Sequence, residues 1–186
     1  MHNKEVFGQV MSTDKLDLDK IQDRAKSPWV KVTNSEIHGS GVFAAKKIPK
    51  ETRIMEYLGE HIDKEESERR ALAQMAKAEE TGEAGVYIFT LDDDWDIDGN
   101  FEWNTARLIN HSCAPNCETW IEEDQIFVYA LRDIKKGEEL VFNYGFGVDT
   151  YEDHPCRCGT DRCIGYIVCE EEWPKLKKIL KKNKKK

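Results

Sequence analysis

The residues most able to do chemistry in this chain are its six cysteines, all of which lie in the second half. Three follow one another as Cys156-Arg-Cys158-Gly-Thr-Asp-Arg-Cys163, and the others stand at positions 113, 117 and 169. A secreted disulfide scaffold is usually shorter and more evenly supplied with cysteine, whereas clustered cysteines in an intracellular protein indicate a metal site. The Cys-x-Cys-x4-Cys run supplies three thiolates, and tetrahedral zinc requires four ligands. Buried thiols without a metal are the alternative interpretation.

A second chemically dense stretch is residues 107–117, Arg-Leu-Ile-Asn-His-Ser-Cys-Ala-Pro-Asn-Cys. Its Asn and Ser side chains compete for backbone hydrogen bonds, and Pro115 removes a donor and disfavours the helical conformation at Ala114. The apolar Leu108 and Ile109 anchor one end of the stretch. A polar, turn-forming segment anchored in this way is a candidate for binding or catalysis.

The elements that must position these stretches are mainly short strands. Alternation and composition predict strands over 29–32, 53–60 and 86–91, and a hairpin of 119–122 with 125–131. An acidic run, 92–98, predicts a solvated turn that attracts basic peptides. One long helix is predicted from Asp63, its cap, to Glu80. Its packing face is predicted from helical spacing, and it comprises Leu72, Met75, Ala76 and Glu79.

The composition predicts one soluble, intracellular domain. The chain has 186 residues, of which 39% are hydrophobic, enough for a core. No segment approaches the ~20 apolar residues of a membrane helix, and the polar N-terminus lacks a signal-peptide core. We therefore expect no membrane contact.

The charge is unevenly distributed. The formal net charge is −8, although residues 175–186 hold eight lysines and no acid, so the preceding body is far more acidic than the whole. Such a body repels a phosphate backbone and attracts a basic peptide. Contact with nucleic acid is therefore expected only through the lysine-rich tail, whose last six residues, 181–186, are expected to fray.

A third motif, Glu139-Leu-Val-Phe-Asn-Tyr144, follows residues 107–117 and precedes the cysteine run. In this order and spacing the three motifs resemble the signature of SET-domain protein-lysine methyltransferases, over about residues 28–168. The resemblance implies a mainly β fold, in which several small curved β-sheets surround a knot-like crossing, with an inserted helix and a zinc-bound C-terminal post-SET segment. The chain beyond 144 would thread the loop 107–117. A pre-SET cysteine module has no counterpart, because no cysteine precedes Cys113.

The resemblance also implies boundaries and ligands. It divides the chain into an N-terminal extension (1–27), a SET domain (28–149), a post-SET zinc segment (150–169) and a C-terminal helix with a lysine-rich tail (170–186). The zinc ligands would be Cys113, Cys156, Cys158 and Cys163. Cys117 and Cys169 are left over, and His154 is the nearest rival ligand.

The implied reaction moves methyl groups from S-adenosylmethionine to a lysine amine and leaves S-adenosylhomocysteine. Tyr144 and Tyr87 would be the catalytic residues. Tyr87, Phe142 and Thr119 would line the substrate channel. The expected cofactor-binding residues lie in three motifs and are His38, Gly39, Ser40, Gly41, Val42, Arg107, Asn110, His111 and Tyr144.

The amine must be neutral to attack, and the free side chain has a pKa of ~10.4. An apolar channel disfavours the ammonium form and lowers this pKa, so no strong base is required. Most of the acceleration would come from holding the reacting atoms in line. The resemblance places Phe142 at a position, two residues before the catalytic tyrosine, where family members carry either Phe or Tyr beside the lysine channel. It thereby implies di- or trimethylation, unless Thr119 or Trp120 restricts the channel instead.

The expected substrate is a basic protein such as a histone or a histone-like protein, and the expected state is a monomer. The location would be the nucleus for a eukaryotic protein or one acting on host chromatin, and the cytoplasm for a bacterial one. Two other classes stay open: a non-catalytic SET-like peptide-binding module and a zinc-containing nucleic-acid-binding protein. The four intact motif residues, Tyr87, Asn110, His111 and Tyr144, argue against the first, and the acidic body argues against the second.

Overall fold

The computed structural model describes residues 18–81 and 85–183, and their secondary structure consists mostly of short strands. The helices are α1 (Leu18–Ala25), α2 (Lys64–Thr81) and α3 (Trp173–Asn183). The strands are β1 (Val30–Asn34), β2 (Ser40–Ala44), β3 (Arg53–Tyr57), β4 (Glu60–Asp63), β5 (Ile88–Thr90), β6 (Trp95–Asp98), β7 (Asn110–His111), β8 (Cys117–Glu122), β9 (Gln125–Ala130) and β10 (Val141–Phe142). The mainly β class is confirmed. Most of the predicted N-terminal extension, residues 1–17, lies outside the described residues.

Within the described residues the strands form four small sheets, ordered β1-β2, β10-β7, β3-β9-β8 and β4-β6-β5. The predicted hairpin is confirmed as β8 and β9, which pair in register from Cys117 with Ala130 to Glu122 with Gln125. Its two turn residues, Glu123 and Asp124, both have positive φ, 46° and 63°. That conformation matches the twist of a two-residue hairpin loop. The small sheets enclose a core that includes Ile48, Ile126 and Leu140.

The parallel pair of β7 with β10 joins two distant motifs. Asn110 lies beside Val141, and His111 beside Phe142. The segment after β7 is also hydrogen-bonded to β10. The Asn116 backbone N–H donates to the Val141 carbonyl at 3.1 Å, and Asn116 Oδ1 accepts the Val141 N–H at 2.9 Å. Parallel strands cannot be joined by a tight turn, and here β8 and β9 lie between β7 and β10 in the chain. The pairing of β7 with β10 places the 107–117 stretch against the Glu-Leu-Val-Phe-Asn-Tyr motif. The two motifs therefore lie side by side in the fold.

Helix α2 is present where the sequence predicts it, and Asp63 Oδ1 caps it by accepting the Glu66 N–H at 2.8 Å. The predicted packing face is wrong. Leu72 and Met75 are 62% and 43% exposed, and the side chain of Glu79 lies outside the description. The inward face is polar and carries Arg70 and Gln74.

Two aspartates of β6 explain this orientation. Asp96 and Asp98 are only 6% and 4% exposed, and a buried carboxylate is costly unless it is paired. Lys64 donates to Asp96 at 2.6 Å and Arg70 donates to Asp98 at 2.9 Å, both from the first two turns of α2. The acidic run 92–98 is therefore only partly the solvated turn that the sequence predicts. Residues 92–94 are exposed, whereas Asp96 and Asp98 are buried.

A second core holds the C-terminal segment. Val148, Tyr151 and Val168 pack with Trp173 and Leu176 of α3. The Trp173 indole N–H donates to the Val168 carbonyl at 3.1 Å, which fixes the start of the helix. The helix ends at Asn183, so 181–183 lie within it, and 184–186 lie outside the described residues. The expected fraying of 181–186 stays a prediction. None of the described helices is both long and apolar enough to cross a membrane.

Candidate active site

Tyr144 lies two residues after the end of β10, and both its backbone N–H and its hydroxyl are hydrogen-bonded. Its backbone N–H donates to His111 Nδ1 at 3.2 Å, and its hydroxyl donates to the Ile109 carbonyl at 3.0 Å. Burial raises the pKa of Tyr144, and the nearby Tyr87 raises it further. Burial lowers the pKa of His111 to about 4. At neutral pH the site therefore contains a neutral phenol and a neutral imidazole that accepts the Tyr144 N–H.

Aromatic rings extend from Tyr144 in both directions. Its ring centroid lies 5.1 Å from Phe142 and 5.8 Å from Phe146. Phe142 lies 6.1 Å from Phe89, which lies 5.3 Å from Tyr57. We call these five rings the aromatic wall. Ring centroids at these distances show that the five rings pack against one another, and the faces of such rings can attract a cation.

Tyr87, the residue before β5, is fixed to the wall through its main chain. Its carbonyl accepts the Tyr57 hydroxyl at 2.8 Å and the Gly99 N–H at 2.8 Å. Its own N–H donates to Gln74 Oε1 at 2.9 Å, and the Arg107 guanidinium lies 5.2 Å from its ring centroid. The structure thus brings Tyr87 and Tyr144 into one neighbourhood.

The two β8 candidates for the channel lie in the β3-β9-β8 sheet. Thr119 is half-buried and pairs with Val128 of β9. Trp120 is 55% exposed, and its ring meets Tyr129 edge-on at 6.3 Å. Among the ring contacts of the described residues, none joins Trp120 to the aromatic wall. Channel roles for Thr119 and Trp120 remain predictions.

The glycine turn of 38–41 is tied to β7 through Asn110. Its amide nitrogen donates to the His38 carbonyl at 3.4 Å and to the Ser40 carbonyl at 3.3 Å. Gly39 adopts φ +46°, a conformation that favours glycine. The backbone of this turn is thereby placed beside Asn110. We call residues 38–41 and Asn110 the cradle. Val42 is fully buried in the core, so its side chain packs inward.

Glu139 is a site residue that the sequence reasoning did not assign. Its Oε1 accepts the Asn110 amide N–H at 2.8 Å and the Ser35 hydroxyl at 2.7 Å. A Cβ at Gly41 would lie 2.5 Å from the same Oε1, so the carboxylate fills the space that glycine leaves. The sequence signal that could have identified Glu139 is its place as the first residue of the Glu139-Leu-Val-Phe-Asn-Tyr144 motif.

Arg107, three residues before Asn110, carries a buried donor that fits a polar ligand. Arg107 Nε is buried and has no hydrogen-bond partner among the described residues. A buried N–H without a partner is costly, and a bound ligand would satisfy it. The carbonyls of His38 and Ser40 already accept the Asn110 amide, so the buried Arg107 Nε is the group that indicates a polar ligand.

The four predicted metal ligands converge. The sulfurs of Cys113, Cys156, Cys158 and Cys163 all lie within 4.8 Å of one another. The Cys113–Cys156 pair is 3.7 Å apart, and zinc–sulfur bonds of about 2.3 Å in a tetrahedron would place sulfurs about 3.8 Å apart. Burial raises the pKa of Cys113 to about 11, and a dication would offset this by favouring the thiolate.

The other candidate ligands lie elsewhere. The His154 ring packs on Phe146 at 4.6 Å. Cys117 is buried in β8, where burial raises its pKa to about 12. Cys169 precedes the short 3-10 turn of Glu170–Glu172. The geometry therefore supports the four-cysteine set without these residues.

Comparison with known proteins agrees with this geometry. Residues 39–145 match the SET domain family, and the chain belongs to it. A "Histone-lysine N-methyltransferase, H3 lysine-4 specific" of Chaetomium globosum is 35% identical over 170 residues, 88% of this chain and 15% of that protein.

Two animal proteins are also similar. "Histone-lysine N-methyltransferase trr" of Drosophila melanogaster is 41% identical over 149 residues, 75% of this chain and 6% of that protein. "Histone-lysine N-methyltransferase 2D" of Homo sapiens is 38% identical over 148 residues, 75% of this chain and 3% of that protein. The chain thus spans only a small part of each of these relatives.

Proposed function

We propose that this chain is an S-adenosylmethionine-dependent protein-lysine N-methyltransferase acting on a histone or a histone-like basic protein. The observation that carries the proposal is the convergence of Tyr144, Tyr87 and the aromatic wall beside the Asn110 cradle. The names of the similar proteins support it, and the acidic body favours a basic substrate.

The cradle would hold the cofactor. Residues 38–42, Arg107, Asn110 and His111 supply backbone carbonyls, backbone N–H groups and the buried Arg107 Nε for this purpose. When bound there, S-adenosylmethionine supplies the methyl group and becomes S-adenosylhomocysteine. Glu139 keeps the Asn110 amide oriented toward the turn.

The aromatic wall would hold the substrate side chain. A lysine amine between these rings loses water, so its ammonium form is disfavoured and its pKa falls. Tyr144 and Tyr87 would orient the resulting neutral amine. The raised pKa of Tyr144 keeps its hydroxyl protonated, so orientation rather than proton abstraction is its role. Holding the reacting atoms in line supplies most of the acceleration.

The four-cysteine cluster would bind one structural zinc ion. Cys113 lies two residues after His111, whereas the other three ligands belong to the C-terminal segment. The metal would therefore fasten 156–163 next to the cofactor cradle. A histone substrate would place the protein with chromatin, in the nucleus.

The test is to incubate the full chain with isotope-labelled S-adenosylmethionine and a mixture of core histones, and to locate the label by mass spectrometry. We expect label on lysine side chains, with histone H3 as the first substrate to examine because of the similar proteins. Cofactor binding without transfer to any histone or other basic protein would contradict the proposal and favour a peptide-binding module.

The number of methyl groups depends on Phe142. Its side chain is buried and lies 5.1 Å, between ring centroids, from Tyr144. A tyrosine hydroxyl there would hydrogen-bond a water next to the amine, and that water would occupy the space of further methyl groups. We expect the wild type to produce di- or trimethyl-lysine and Phe142→Tyr to shift the product toward monomethyl-lysine. Exhaustive reactions analysed by mass spectrometry decide this, and a wild type that stops at one methyl group would refute it.

A further inference from the structure

The Tyr87 N–H depends on a side chain of the inserted helix. Tyr87 immediately precedes β5, so its N–H is outside the paired strand. The partner is Gln74 of α2, whose Oε1 accepts this N–H at 2.9 Å. The same amide donates from Nε2 to Asp98 Oδ1 at 3.2 Å. One side chain therefore connects the helix, β6 and the start of β5.

The chemistry at this point suits glutamine specifically. A backbone N–H only donates and an ionised carboxylate only accepts, so the bridging group must offer an acceptor on one side and a donor on the other. Asp98 is 4% exposed and its second oxygen accepts Arg70 Nη1 at 2.9 Å. A glutamate at position 74 would face this carboxylate with a like charge, and an apolar residue would leave both partners without this bond.

The opposite side of Tyr87 is fixed independently. Its carbonyl is held by the Tyr57 hydroxyl at 2.8 Å, and Tyr57 is 5% exposed within the core. With the carbonyl anchored, the Gln74 bond to the N–H sets the remaining rotation of this residue. That rotation sets the direction of the Tyr87 Cα–Cβ bond and so contributes to where its ring lies relative to Tyr144.

We propose that Gln74 is a positioning residue for Tyr87, and that α2 thereby controls the geometry of the lysine channel. The inference rests on the proposed methyltransferase function. Gln74 acts through the Tyr87 backbone and makes no contact with the reacting atoms. Its loss should change how the amine is oriented, and so turnover and the number of methyl groups added, while cofactor binding at the 38–41 turn and Asn110 stays the same.

The test compares Gln74→Met with Gln74→Glu. Methionine keeps the length and helix propensity of glutamine and removes both hydrogen bonds. Glutamate keeps an acceptor for the Tyr87 N–H and loses the donor to Asp98. The matched control is Leu72→Met on the same helix, because that side chain is 62% exposed. For each folded variant, kcat and product distribution on a histone peptide, KM for S-adenosylmethionine, Tm and exchange of the Tyr87 amide by NMR are measured.

We expect Gln74→Met to lower kcat about tenfold, as a displaced orienting group does, and to alter the methylation products at unchanged cofactor KM. Gln74→Glu should recover part of the kcat, and the Tyr87 amide should exchange faster only in Gln74→Met. A Gln74→Met protein with the kcat and products of Leu72→Met, or with unchanged Tyr87 amide exchange, would overturn the inference. A wild type that methylates nothing would instead refute the proposed function, and amide exchange would still decide whether Gln74 holds Tyr87.

Discussion

At Tyr144 the surroundings decide what the hydroxyl can do. Burial holds its pKa above the ordinary value, and its proton is donated to the Ile109 carbonyl at 3.0 Å. A phenol that stays neutral cannot remove a proton from an ammonium group at physiological pH. It can accept or donate a hydrogen bond at a fixed point, and this is what the transfer of a methyl group to an already neutral amine requires.

This argument predicts the behaviour of Tyr144→Phe. The ring would stay among Phe142, Phe146 and His111, so the fold and cofactor binding should be retained. We expect kcat to fall by about a hundredfold or more, the usual size of the effect when a group acting on the reacting centre is removed. Single-turnover kinetics and calorimetric titration with S-adenosylhomocysteine separate the two effects. Unchanged turnover would show that the hydroxyl is not used.

Residue roles could be predicted where a motif carries them and not where only packing does. Asn110 and Tyr144 were assigned from the motifs, and the structure places both at the β7–β10 pair. The role of Glu139 depends on Ser35, 104 positions away, and on the space left by Gly41. Nothing in the local sequence specifies such a contact, because it exists only after β2 and β10 have been brought together.

At the scale of the elements, local signals predict that α2 forms but not which of its faces packs inward. Its existence and its cap followed from local signals at Asp63, and both are confirmed. Its orientation did not follow from apolar spacing, because Asp96 and Asp98 of β6 require cationic partners and turn the polar face inward. Leaving a buried carboxylate without its cationic partner costs about 3 to 5 kcal/mol. Burying Leu72 or Met75 would contribute only about 1.5 to 3 kcal/mol each.

The glycine turn between β1 and β2 provides a test of the cofactor cradle. In Gly41→Ala the new Cβ would lie 2.5 Å from Glu139 Oε1 and 2.9 Å from Ser35 Cβ. The carboxylate would have to leave Ser35 and Asn110, and the turn would lose its anchor. We expect S-adenosylhomocysteine to bind about tenfold more weakly, equivalent to about 1.4 kcal/mol.

The control for this variant is Thr33→Ala, which lies opposite Gly41 in the β1–β2 register and is exposed. It changes the same pair of strands without entering the space around Glu139. Isothermal titration calorimetry measures both variants. Equal affinity in Gly41→Ala and Thr33→Ala would mean that the 38–41 turn does not contribute to the cofactor site.

At the scale of the whole molecule, Cys113 links two hydrophobic cores of the described residues. The β-sheet core and the C-terminal core of Val148, Tyr151 and Val168 meet where Cys113 packs into the latter. Cys113 belongs to the loop after β7, and its sulfur approaches Cys156 at 3.7 Å. The convergence of ligands separated by more than 40 residues was predictable only from the resemblance, since spacing alone supplies three of the four thiolates.

The zinc prediction follows from this connection. Wild-type protein purified without chelator should contain about one zinc per chain, measured by plasma mass spectrometry. Cys158→Ser should release the metal and lower turnover by at least tenfold, because the C-terminal segment would no longer be fastened beside His111. Cys169→Ser is the control, since Cys169 lies outside the four-sulfur cluster. It should keep both zinc and activity. A metal-free Cys158→Ser protein with full activity would show that the cluster does not support the active site.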